Sequence, residues 1–263
     1  MFMKRILSIL FFSVFLFFGN AYAQNSVVAS PGTLQDKYAK RSGSLRFSTT
    51  TLNLGKLANN QIRKDTIRIF NIASRPVTIS VSGKIPSHIQ VSAGQNSIDP
   101  GTEGWIAISY DAGLKNDFGF VLDRIAFSTN DSIQALKYIN ITASLFENFP
   151  VMTAEDSAMV QKARVPELTF NYGTISQGEK KFHEFVVYND GKRDLTLHKA
   201  KSNCGCIQTT LTKNIIAAGD SAIVRVDFDS FGKEGKDSRK INVYMNDPAM
   251  PEIKLEMVGE ILK

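Results

Sequence analysis

Laid against itself with an offset of 118 residues, the chain repeats. Leu52-Asn53-Leu54-Gly55-Lys56-Leu57 falls on Phe170-Asn171-Tyr172-Gly173-Thr174-Ile175. Ile67, Ile69, Phe70 and Asn71 fall on Phe185, Val187, Tyr188 and Asn189, and Arg75-Pro76-Val77-Thr78-Ile79 falls on Arg193-Asp194-Leu195-Thr196-Leu197. Ile98, Gly101, Tyr110 and Asp111 then meet Ile216, Gly219, Phe228 and Asp229. Past Asp111 the offset becomes 116, a two-residue deletion in a loop, and Ile125, Phe127, Asn130 and Asp131 meet Ile241, Val243, Asn246 and Asp247. Such self-similarity reads as two copies of one folding unit.

Each unit consists of short alternating segments rich in Phe, Ile, Val and Thr, punctuated by turn residues. In the second, Glu167–Tyr172, Lys181–Tyr188, Asp194–Lys199, Ile207–Leu211, Ser221–Asp229, Arg239–Met245 and Glu252–Gly259 read as seven strands. Asn189-Asp190-Gly191-Lys192 is a tight turn between two of them. Seven strands in about a hundred residues is the size of an immunoglobulin-like sandwich. The expected fold is therefore all-β, with two tandem immunoglobulin-like β-sandwiches over residues 45–146 and 164–263. Residues 147–163 break the pattern as a linker with a helical turn or two after Pro150. Residues 24–44, polar with Pro31 and Gly32, read as a flexible tether. Trp105, on a strand after Gly101, is expected in the core.

The N-terminus has the layout of a secretory signal peptide. Lys4 and Arg5 precede an apolar run from Ile6 to Phe18, and Ala21-Tyr22-Ala23 places small residues before a cut after Ala23. The run is short for a membrane span, and no other segment approaches that length. The chain is thus expected to be exported, to the periplasm or beyond the cell, with no transmembrane segment once residues 1–23 are removed. Cleavage takes away two of the 31 basic residues and lowers the formal charge from +6 to +4. There is no dense Lys/Arg block with interleaved aromatics, so nucleic acid is not an expected partner.

Both cysteines lie in Ser202-Asn203-Cys204-Gly205-Cys206-Ile207-Gln208. At the 118-residue offset, Cys204, Gly205 and Cys206 fall on Pro86, Ser87 and His88, and Ile207-Gln208 falls on Ile89-Gln90. The loop therefore belongs to both units, and the cysteines are an addition to it. Three readings stand open. In an oxidising compartment the pair can form a disulfide, a small ring that restrains little chain entropy, with Gly205 relieving the backbone. Two thiolates can instead hold a soft cation such as Cu(I), with His198 as a weak further ligand. They can also stay free, or pair with a partner. Redox catalysis is disfavoured by the one-residue spacing and the β-rich setting.

Little else looks like chemistry. No phosphate loop, nucleophile elbow or metalloprotease helix is present. His88 reads as a loop residue, and His183 as a partly buried strand residue. His198 is expected to face out, because alternation turns Leu195 and Leu197 inward. Asp227 and Asp229 share a solvated face. No cofactor is implied, and no enzyme activity is expected.

The second unit resembles a bacterial domain-of-unknown-function family (family 1573). The likeness rests on the order Asn171-Tyr172-Gly173, Leu195-Thr196-Leu197, Ser202-Asn203-Cys204-Gly205-Cys206, Gly219, Val226-Asp227-Phe228-Asp229 and Asn246-Asp247-Pro248. The first unit is similar in shape but lacks the cysteines. The resemblance implies a Hydin-like, immunoglobulin-like sandwich in an exported protein, and no activity. The expected function is a non-enzymatic binding or scaffold protein of the bacterial envelope whose partners are other envelope proteins. The alternatives are thiol-redox or copper handling at Cys204 and Cys206, and a periplasmic chaperone-like role.

Overall fold

The structure is a computed structural model and describes residues 33–81 and 85–263. The expected signal peptide and residues 24–32 of the expected tether lie outside that range. Two tandem β-sandwiches make up almost all of the rest.

The first sandwich begins with the helical turn α1 (Leu34–Lys37) and strands β1 (Lys40–Ser42), β2 (Leu45–Phe47), β3 (Thr51–Ala58), β4 (Ile62–Asn71) and β5 (Val77–Ser80). It continues through β6 (Ile89–Ala93), β7 (Ser97–Ile98), β8 (Glu103–Asp111), α2 (Ala112–Lys115), β9 (Gly119–Thr129) and β10 (Leu136–Phe146). Its sheets run β1-β2-β4-β8-β6 and β3-β10-β9-β5-β7. After α3 (Ala154–Ala158), the second contains β11 (Ala163–Arg164), β12 (Thr169–Ser176), β13 (Lys180–Asn189), β14 (Leu195–Ser202) and β15 (Ile207–Leu211). It is completed by β16 (Ile215–Ile216), β17 (Ser221–Asp229), β18 (Gly235–Met245) and β19 (Glu252–Leu262). Its sheets run β11-β13-β17-β15 and β12-β19-β18-β14-β16. Apart from β1, the two sheet orders are the same.

The repeated residues are repeated for mechanical reasons. Asn53 and Asn171 each accept a hydrogen bond from the amide two residues on, at Gly55 and Gly173. Both glycines hold a left-handed φ, 70° and 74°, which a residue with a Cβ adopts only at a cost. This kink lies where β3 and β12 shift register along β10 and β19, their parallel partners. Asn71 and Asn189 are fully buried at the ends of β4 and β13. Each donates to two carbonyls, Arg75 and Ile98 in one unit, Arg193 and Ile216 in the other. Asp131 and Asp247 tie down the amides of Ser44 and Ala163.

The alternating strands turn one face of each sheet into the two cores, around Phe47, Phe127 and Tyr110 in the first and Phe185, Phe228 and Met257 in the second. Trp105 is not among them: it is 45% exposed. Gly104 and Ile106 are the inward residues of β8, so alternation turns Trp105 out, where its ring lies on the flat space above Gly94. The tether is also shorter than expected. Thr33 caps α1 with a reciprocal capping box, Tyr38 is buried against Phe70, and β1 pairs with β2. An aromatic residue with an apolar groove to fill orders this segment despite its polar composition.

Candidate functional site: the disulfide loop and the interdomain cleft

Between β14 and β15 the chain turns sharply, with the Ile207 amide donating to the Cys204 carbonyl at 3.1 Å and the Asp229 amide to the Cys206 carbonyl at 2.9 Å. In the first unit Ile89 donates to Pro86 at 2.9 Å and Asp111 to His88 at 2.8 Å. Pro86-Ser87-His88 and Cys204-Gly205-Cys206 are thus one turn with different side chains.

Cys204 and Cys206 are paired as a disulfide with their Cα atoms 5.1 Å apart. Gly205 does not adopt a positive φ, and a Cβ there would meet open space. It is therefore not a backbone requirement of the turn, contrary to the expectation that it relieves strain. Both cysteines pack against the second core. The Cys204 sulfur lies 3.7 Å from Arg239 Nη1. Arg239 is held by Asp237, whose carboxylate accepts from Nε at 2.9 Å and from the Tyr172 hydroxyl at 3.0 Å. Burial, then this acceptor, raises the Tyr172 pKa above the ordinary phenol value. Cys206 also borders a groove of about 350 Å³, lined further by Lys180, Phe182, Gly205, Arg225, Asp227 and Asp229.

The same place in the first unit carries the opposite charge. His88 is buried with Nε2 3.2 Å from Asp123 Oδ2, and Asp123 also accepts from Tyr110 at 2.9 Å and Lys115 at 2.7 Å. Burial pushes the Asp123 pKa up, but these donors outweigh it and the net shift is downward. At the 116-residue offset, Asp123 corresponds to Arg239.

A second feature lies between the sandwiches. Asp117 Oδ1 accepts from Lys199 at 2.9 Å and lies 2.7 Å from Lys201 Nζ, which also donates to the Phe118 carbonyl. The Phe118 ring stacks on His198 with centroids 4.2 Å apart, and His198 Nε2 lies 2.8 Å from Glu147 Oε2. Gly119 sits at φ 70°, and a Cβ there would overlap the Tyr244 hydroxyl. Beside this contact opens a cleft of about 490 Å³, whose walls include Phe120, Phe146, Lys201, Asn203, Tyr244 and Glu252.

His198 therefore does not face solvent. It turns off the second core, as alternation from Leu195 and Leu197 requires, but the Phe118 ring of the first sandwich covers it. His183 packs on Phe170 and lies 3.0 Å from Glu167. Asp227 pairs with Arg225, and Asp229 lies 3.4 Å from Lys180. Among the described residues no group of three or more His, Cys, Asp or Glu side chains could hold a metal. No described helix is long and apolar enough to cross a membrane.

Asp117, Phe118, Gly119 and Arg239 were not singled out in the sequence. The signal was present: the repeat's offset changes from 118 to 116 between Asp111 and Ile125. The two extra residues of the first unit fall in the segment that grips the second.

Residues 163–261 match a family described as "Protein of unknown function (DUF1573)". The first unit lies outside that match. A crystal structure of a protein of unknown function from Porphyromonas gingivalis W83 is similar over 83% of this chain and all of its own, at 17% identity and TM-score 0.57, and so shares the fold. Fainter similarity reaches the periplasmic chaperone SfaE, over 83% of this chain and 100% of that one, at 11% identity and TM-score 0.30. PapD-like domain 7 of human CEP192 is similar over 44% of this chain and 95% of its own, at 10% identity and TM-score 0.35. No curated protein matches the chain.

Proposed function

We propose that the protein is an exported, non-enzymatic binding or scaffold protein of the bacterial envelope that receives a segment of another envelope protein in the cleft between its sandwiches. The observation that supports this most is the cleft itself. Phe120 and Phe146, 62% and 44% exposed, face a concavity rimmed by Lys201, Asn203 and Glu252. Binding sites favour apolar concavities with a few polar groups at domain interfaces, and exposed aromatic clusters on a monomer mark interaction surfaces. The signal-peptide layout supplies the compartment.

The test is a photo-crosslinking amino acid placed at Phe120 and, as a control, at Ile133, which is 69% exposed and does not border the cleft. In the source cells, position 120 is expected to give a discrete protein adduct that position 133 does not. Equal labelling at both positions, or none at 120, would refute the cleft. Recovery of the full chain from the cytosol with Met1 intact would refute export.

A further inference from the structure

The disulfide has a polarity that the binding reading does not use. It closes a ring across a sequence separation of only 2, so it removes little entropy from the unfolded chain and adds little stability. The first unit makes the same turn without it. The two sulfurs also have different surroundings. Cys206 borders the open groove, where Lys180 and Arg225 are paired with Asp229 and Asp227. Cys204, packed on the core as Cys206 is, has the Arg239 guanidinium 3.7 Å from its sulfur. A cation beside a sulfur favours the thiolate, and a better-stabilised thiolate leaves a disulfide faster. The repeat supplies a contrast in charge: the position of Arg239 is held in the first unit by a carboxylate, Asp123, which lies beside His88, the counterpart of Cys206.

We propose that Cys204–Cys206 is an exchangeable disulfide that takes electrons from the dithiol of a partner protein. Cys206 is the sulfur attacked and Cys204 the sulfur released. A partner thiolate enters the groove and forms a bond to Cys206 Sγ. The Cys204–Cys206 bond breaks, and Cys204 leaves with the electron pair as a thiolate beside Arg239. The partner's second thiolate then attacks its own sulfur in the mixed disulfide and releases Cys206 as a thiolate. The two thiolates take protons from solvent. Two electrons have moved: the partner leaves as a disulfide, and Cys204 and Cys206 remain as thiols. Arg239 touches the leaving sulfur and nothing of the partner, and so acts as a positioning residue. This proposal does not depend on the interdomain cleft and can fail or hold without it.

The probe is glutathione, added to the oxidised full-length protein and quenched with acid at early times, with the adduct mapped by peptide mass. Glutathione is expected predominantly on Cys206. Arg239→Gln, which removes the cation beside the leaving sulfur, should slow opening about three-fold, and Arg239→Lys should recover most of the rate. Each variant is compared at matched thermal stability. If Arg239→Gln does not fold, adduct mapping in the unaltered protein and the Arg239→Lys rate decide. Adducts on Cys204 or on both cysteines alike, an opening rate indifferent to the charge at 239, or a disulfide that glutathione does not open would each overturn the proposal.

Discussion

Lys137 is a fully buried lysine. Its Nζ lies 2.6 Å from Asp131 Oδ2 and donates to the Ser42 and Gln134 carbonyls. Burial raises the Asp131 pKa, but Lys137 and the Ser44 and Ile133 amides outweigh it, and the net shift is strongly downward. Removing one partner of a buried pair strands the other charge, at about 3 kcal/mol or more. Lys137→Ala should therefore destabilise the first sandwich by that order, read from its urea unfolding curve. Asp131→Asn with Lys137→Ile should recover most of the loss, because the corresponding residue of the second unit is Ile253 and is buried without strain on the fold. The pH dependence has a definite sign. A depressed carboxylate stabilises the native state above its unfolded pKa, about 4, and that contribution is lost as pH falls through the lower native value. The gap between wild type and Lys137→Ala should accordingly narrow below about pH 4. No periodicity argument could find this pair, since Lys137 occupies a position that alternation assigns to the core and its composition assigns to solvent.

At the level of elements, the strands were legible because each sheet has one buried face, and a period of two marks such a face. The repeat then separated turns from strands without any propensity argument. What stayed illegible is which face a single residue takes and what covers an outward face. Trp105 was expected in the core from its place on a strand after Gly101, but its neighbours Gly104 and Ile106 hold the inward positions of β8. His198 was expected to face out by counting from Leu197; the count gives the right face, but Phe118 and Glu147 cover it. The Asn corners make the repeat testable. Asn189 satisfies the Arg193 and Ile216 carbonyls and accepts from the Gly191 and Lys162 amides. Its loss leaves buried groups unpaired, and Asn189→Ala should cost about 2–3 kcal/mol. The loss should fall on the second sandwich, read by hydrogen exchange at β13 and β17, with β4 and β8 unmoved. Asn71→Ala should do the reverse.

At the scale of the whole molecule, the two copies of one sandwich meet at Asp117, Phe118 and Gly119, in the segment where the copies differ in length, and at the Glu147–His198 pair. Asp117 is drawn upward by burial, but Lys201 and Lys199 outweigh it and hold its pKa below the ordinary carboxylate value. His198 is the opposite case. Burial against Phe118 is the largest influence and lowers its pKa, with Glu147 only partly offsetting it. A histidine with a depressed native pKa is neutral in the contact, and the stability this confers is complete above the unfolded value near 6.5. It is eroded as pH falls below that value, because the unfolded or separated state then binds the proton more readily. NMR titration should place His198 below 6.5. Small-angle scattering should show the two sandwiches moving more freely at pH 5 than at pH 8. Phe118→Ala removes the ring that buries the imidazole, so it should move the His198 pKa back toward 6.5 and loosen the arrangement at both pH values. A compact profile that ignores both pH and Phe118→Ala would mean that the linker, rather than this contact, sets the angle between the sandwiches.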